Sequence, residues 1–235
     1  MQAQTLVNKI NEEHTLAGTI TVDFVSSTRD SAGYVYVAGN TLTLPSQHED
    51  AIVRKYEAGT GKLIWEYVYN DISDLSDFAM EVYVHGGYVY ITGTSVDLTT
   101  AESIIYTVIL DPADGSEVDV IKYTPDYGGY AVASSVKADN AGRFFVCGTE
   151  QNGANDFQVF VIGYDLVNGE LWRTYYDSTG RYDGAVSMKY NSKGELIVVG
   201  YSGTAFSSWD FVTLKVYPGD GSITDTVYSS NGNGN

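Results

Sequence analysis

The chain has 235 residues, 43% of them hydrophobic, which is enough to build a sizeable core and excludes a disordered chain. Asp and Glu number 30 against 13 Lys and Arg, a net charge of −17 with no basic cluster, so phosphate backbones and anionic headgroups are repelled and nucleic acid and membrane are excluded as partners. A single Cys excludes an internal disulfide framework and any multi-cysteine metal site, and the longest apolar run, Ile104 to Leu110 broken by Thr107, is far too short to span a bilayer.

In chain order, residues 1–18 precede any repeat and form an extension, with Leu6, Val7 and Ile10 at a weak helical spacing. Gln2 to Thr5 looks like the start of a mature secreted chain, without the charged and apolar regions of a signal peptide. From residue 19 the pattern turns to runs of five to eight Val, Ile, Tyr and Phe bounded by Gly, Asn, Asp and Ser, the signature of β-strands. Strand a is expected near 19–25, 77–84, 130–137 and 183–190. Strand b carries Gly33-Tyr-Val-Tyr-Val-Ala-Gly39 and its near copies Gly87 to Gly93, Gly142 to Gly148 and Gly194 to Gly200. Strand c covers about 50–57, 103–111, 156–165 and 210–217, and strand d about 62–69, 116–123, 169–176 and 221–228. The glycines closing strand b recur at intervals of 54, 55 and 52, and Gly61, Gly115, Gly169 and Gly221, which end the c–d turns, recur at 54, 54 and 52. Each turn glycine supplies the positive φ that a tight return of the chain needs. Residues 229–235 are a polar, linker-like tail.

A repeated unit of four strands and about fifty residues is the signature of an all-β β-propeller, here with four antiparallel blades near 19–70, 77–123, 130–176 and 183–228. The segments 33–39, Asp50-Ala-Ile-Val-Arg-Lys-Tyr56 and Gly61-Lys-Leu-Ile-Trp65, echoed by Asp156 to Phe160 and Asp210 to Val216, resemble the bacterial SBBP-type propeller repeats of secreted and cell-surface proteins. The second repeat departs from them, with Ser103 in place of the Asp. That resemblance implies a propeller and an extracellular or cell-surface bacterial setting, and is nearly silent on activity. Ala58 to Trp65 and Asp165 to Trp172 also resemble the tryptophan-docking motifs of quinoprotein-type propellers, which implies that Trp65 and Trp172, with Gly61, Gly115, Gly169 and Gly221, lock adjacent blades. Repeats two and four lack the Trp, so the lock is expected to be incomplete. The four blades either close on themselves, the expectation favoured here, or are completed by further repeats or a homo-oligomer.

Candidates for chemistry are few. Cys147 falls where the other repeats have Ala38, Thr92 and Val199, so it reads as a small packed side chain, and His14, His48 and His85 are not at metal-ligand spacing. No nucleophile elbow, P-loop or dinucleotide fingerprint appears. Carboxylates gather in the d–a connections: Asp71, Asp74 and Asp77, then Asp126, Asp177 and Asp183, an oxygen-rich set that suits calcium, against the plainer role of acids that cap turns. Tyr127, Tyr130, Tyr182, Phe206 and Trp209 sit in or beside the d–a and b–c loops and are candidates for ligand stacking.

These features lead to the expectation of a non-enzymatic scaffold or recognition module, with no cofactor beyond a possible calcium ion, presenting its b–c and d–a loops to a protein or glycan. A calcium-assisted lectin is the alternative, and a quinoprotein-like or hydrolytic enzyme the remote one.

Overall fold

The computed structural model describes residues 19–43, 48–71, 75–153, 156–178, 182–203 and 209–229. These residues form sixteen strands in four four-stranded sheets, each a meander in chain order, the blades of a β-propeller. The first sheet holds β1 (Thr19–Arg29), β2 (Tyr34–Thr43), β3 (Glu49–Glu57) and β4 (Leu63–Tyr69), and the second β5 (Ser76–His85), β6 (Tyr88–Val96), β7 (Ser103–Leu110) and β8 (Glu117–Tyr123). The third holds β9 (Ala131–Ala138), β10 (Arg143–Gln151), β11 (Phe157–Asp165) and β12 (Gly169–Tyr176), and the fourth β13 (Tyr182–Tyr190), β14 (Leu196–Gly203), β15 (Trp209–Val216) and β16 (Ile223–Ser229).

Both glycine markers have a backbone cause. The turn glycines Gly61, Gly115, Gly169 and Gly221 all have φ between 74° and 77°, a region that disfavours any side chain. The closing glycine of strand b lies where strand a carries a β-bulge, as at Phe24/Ser26 and Ala185/Ser187, and the bulged strand brings a carbonyl over its neighbour. A Cβ on Gly39 would lie 2.1 Å from the Asp23 carbonyl oxygen, and one on Gly200 would lie 2.0 Å from that of Gly184.

The chain divides into two compact units, Met1–Thr99 with Tyr106–Ile121, and Thr100–Ile105 with Lys122–Asn235. In the first, Tyr36, Ala38, Ala51 and Val53 of the first sheet pack against Val82, Val89, Ile91 and Tyr106 of the second. The Trp65 Nε1–H donates to the Pro112 carbonyl (3.2 Å), its ring lies on Gly115, and the Lys55 Nζ donates to the same carbonyl (2.6 Å). The other face of the first sheet is buried too: Arg54, 2% exposed, pairs with Glu66 at 2.6 Å between Ile52 and Tyr56.

In the second unit Phe145, Cys147, Val159 and Val161 pack against Leu196, Val198, Val212 and Leu214. The lock is repeated: Trp172 Nε1–H donates to the Pro218 carbonyl (3.2 Å), Arg143 Nη1 donates to it as well (3.0 Å), and the indole lies on Gly221. The expectation of an incomplete lock therefore becomes an alternating one. Each Trp joins the two blades of its own unit, the docking glycines are Gly115 and Gly221, and Gly169 has open space around its Cβ direction.

Candidate functional site

The second unit contains an open cavity of about 290 Å³. Its rings come from Tyr130 just before β9, Phe157 at the start of β11, Tyr182 at the start of β13, Tyr201 in β14 and Trp209 at the start of β15; Val132, Ser134, Thr149 and Ala185 complete the lining. The strand register explains the clustering. Tyr182 pairs directly with Gly203, and Gly203 with Trp209, so the three share a face and the glycine leaves the space between two rings unfilled. Tyr201, two residues before Gly203, lies on that face and meets the Trp209 ring edge-on at 4.7 Å. Phe157 bridges Tyr130 (6.1 Å) and Tyr182 (5.8 Å), and this mutual packing holds the rings in place.

The hydroxyls of the lining tie the two blades together. Ser134 Oγ donates to the Ala185 carbonyl (2.8 Å), and the Ala185 N–H donates to Thr149 Oγ1 (3.1 Å). The cavity wall is thus fixed by hydroxyl-to-backbone hydrogen bonds and offers mainly ring faces to a guest. No carboxylate lines it among the described residues.

Of the five aromatic residues singled out from the sequence, Tyr130, Tyr182 and Trp209 meet in this cavity. Tyr127 lies apart, its ring against Gly153, and Phe206 falls outside the described residues. Phe157 and Tyr201 were missed because they sit inside strand-like runs where an aromatic reads as core. Tyr201 follows Gly200 where the other repeats have Asn40, Thr94 and Thr149 after the closing glycine, and that departure is a sequence signal that marks it.

The acids do not converge. Asp126 pairs with Arg173 (3.1 Å) and accepts from the Tyr175 hydroxyl (3.0 Å), while Asp177 accepts from the Asn152 amide (2.9 Å). Asp77 and Asp183 are buried pins: Asp77 accepts from the Asp71 N–H (2.7 Å) and the Ser95 hydroxyl, and Asp183 accepts from the Ser178 N–H and hydroxyl. Burial pushes the Asp183 carboxyl above the ordinary carboxylate range, against the lowering effect of its hydroxyl and backbone donors. Asp74 falls outside the described residues, and among these no group of three or more His, Cys, Asp or Glu side chains is placed to hold a metal ion. Cys147 is fully buried between the two blades of its unit.

Sequence reasoning also missed Glu150. It is fully buried and accepts from the Tyr123 hydroxyl (2.5 Å) and the Gln158 amide (2.9 Å), and burial raises its pKa. Tyr123 in turn meets the Tyr175 hydroxyl (3.1 Å) and lies under the Arg173 guanidinium (4.4 Å). This network closes on itself through Asp126 and Glu170, the partners of Arg173.

No family model and no curated protein matches the sequence. Solved structures do share the fold. An α-L-arabinofuranosidase of Fusarium graminearum, solved with an iminosugar inhibitor, aligns with a TM-score of 0.62 at 10% identity over 93% of this chain and 67% of its own. A quinohemoprotein alcohol dehydrogenase of Pseudomonas putida aligns with a TM-score of 0.55 at 16% identity over 89% of this chain and 36% of its own. At these identities the likeness establishes the propeller fold. It also corrects the expectation of a non-enzymatic scaffold or recognition module: both of these propellers are those of enzymes, so the fold does not set this chain apart from catalysis.

Proposed function

We propose that this chain is the propeller of a carbohydrate-active enzyme and that the cavity of its second unit receives a neutral sugar ring. The observation that carries this reading is the row Tyr182, Gly203, Trp209, two rings flanking a glycine floor in a cavity walled by Tyr130, Phe157 and Tyr201. Ring faces stack on the apolar C–H face of a sugar, and phenol and indole groups at the rim suit its hydroxyls. A net charge of −17 disfavours uronic or sulfated sugars, which narrows the class to neutral saccharides. The likeness to an arabinofuranosidase that binds an iminosugar supports the same class. Hydrolysis of a glycosidic bond requires two carboxyl groups, typically about 5–10 Å apart. The cavity supplies the binding surface of this reading, and among the described residues no carboxylate lines it.

The test is a titration of the full chain with arabino- and xylo-oligosaccharides, read by tryptophan fluorescence, alongside reducing-sugar release from the same substrates. Binding that weakens about tenfold in Trp209→Ala and in Tyr182→Ala, with unchanged melting, is the expected result. Equal affinity in the variants, or no binding at millimolar sugar, would remove the reading.

A further inference from the structure

The strands around the ring-lined cavity of the second unit have counterparts in the first, but the rings are replaced there. Counting from the glycine that closes strand b aligns the two. Tyr201 follows Gly200 where Thr94 follows Gly93. Tyr182 pairs with Gly203, three residues beyond Gly200, and Ser76 pairs with Val96, three beyond Gly93. Phe157, opposite Gln151, corresponds to Glu49, opposite Leu42. The tie between blades is kept meanwhile: the Ala79 N–H donates to Asn40 Oδ1 (2.8 Å) as the Ala185 N–H does to Thr149 Oγ1 (3.1 Å). The first unit thus joins its blades without these three rings, and what they add in the second is a surface for a guest. Three properties of the cavity describe that guest. Its walls turn corners: the Tyr201 and Trp209 rings stand at 87° to one another and the Tyr130 and Phe157 rings at 88°, so ring faces meet the space from more than one side. Its inner hydroxyls are engaged, Ser134 Oγ with the Ala185 carbonyl and Thr149 Oγ1 with the Ala185 N–H, and Val132 and Ala185 complete an apolar wall. Its described lining carries no charged side chain, in a chain of net charge −17.

The geometry points to a trimethylammonium group, the head of choline, as a further guest of this cavity. Such a group is a cation that donates no hydrogen bond, so it needs none of the engaged hydroxyls, and ring faces set around it attract its charge. The chain seats its own cations in the same way: Lys55 Nζ lies 4.1 Å from the centre of the Tyr34 ring, and the Arg173 guanidinium 4.4 Å from that of Tyr123. The acidic surface draws a cation toward the cavity and repels the phosphate that a lipid headgroup carries beside the same cation. At about 290 Å³ the cavity lies at the low end of small-molecule sites, a size that suits a compact head group. Choline and a sugar compete for the same rings, but this assignment does not rest on the sugar reading, and each guest is titrated by itself.

Isothermal titration calorimetry of the full chain at low salt tests this, with choline and with 3,3-dimethylbutan-1-ol, an uncharged molecule of the same shape. Choline is expected to bind at least tenfold more tightly than the alcohol, because the shape is shared and the charge differs. Tyr182→Ser and Tyr201→Thr, the residues that the first unit carries at these positions, each weaken choline binding about tenfold and keep the circular dichroism spectrum of the wild type. Phosphocholine separates a free cation from a lipid headgroup and is expected to bind more weakly than choline. An alcohol that binds as tightly as choline, a choline affinity indifferent to both variants, or no choline binding at millimolar concentration overturns the assignment, whatever the sugars do. Choline binding without sugar binding upholds it and removes the sugar reading alone.

Discussion

Replacing Trp65 by Ala probes what holds the first unit together. The indole is 8% exposed, packs against Tyr36 at 5.8 Å and covers Gly115, so its removal opens a cavity between two blades. Truncation of a buried Trp costs about 3–5 kcal/mol. The lost hydrogen bond adds little to that, because the Pro112 carbonyl keeps the Lys55 Nζ at 2.6 Å and no acceptor is orphaned. Trp172 is only half-buried, and its acceptor, the Pro218 carbonyl, likewise keeps Arg143 at 3.0 Å, so Trp172→Ala should cost less, about 2–3 kcal/mol. Trp65→Phe retains most of the packed area and should cost about 1–2 kcal/mol. Urea denaturation at 25 °C, followed by far-ultraviolet circular dichroism, reads the losses as shifts in midpoint; 4 kcal/mol corresponds to roughly 2 M urea at an ordinary slope. A Trp65→Ala chain within about 1 kcal/mol of wild type, or a larger loss in Trp172→Ala, would refute the account of the lock.

Gly200→Ala would set a methyl 2.0 Å from the Gly184 carbonyl oxygen, so the bulge of β13 must move; a clear drop in melting temperature is expected, whereas Ala at the nearby exposed Lys193 leaves melting unchanged. Glu150 has its folded-state pKa raised by burial, so its contribution to stability is full below the unfolded value near 4 and is lost as pH rises through the raised value. Glu150→Gln removes that dependence, and the stability of the variant relative to wild type should climb between pH 4 and pH 7 in denaturation curves; a difference that does not change with pH would contradict the buried-charge assignment.

The repeat was legible because both of its markers answer to backbone geometry. A turn at φ near 75° and a strand lying under a bulged neighbour each demand glycine whatever the rest of the blade does. Strand ends were read to within a few residues, with β1 running on to Arg29 past its bulge. The cavity was legible in part: Tyr130, Tyr182 and Trp209 stand in or beside loops, while Tyr201 lies within a strand-like run and Phe157, though it opens β11, belongs to the repeated strand c segment that begins at Asp156. The acids were legible as loop residues, but their partners, Arg173 for Asp126 and Asn152 for Asp177, come from distant strands that spacing does not reveal.

The paired locks carry a consequence for how such a chain can change in length. Each indole needs a following Gly turn, and each leading blade also contributes the cation that shares the proline carbonyl, Lys55 in one case and Arg143 in the other. The inheritable module is therefore a doublet. Insertion or loss of a single repeat would leave an indole or a turn without its counterpart, whereas gain or loss of two preserves each lock, so shuffling by pairs is the route that keeps the locks intact.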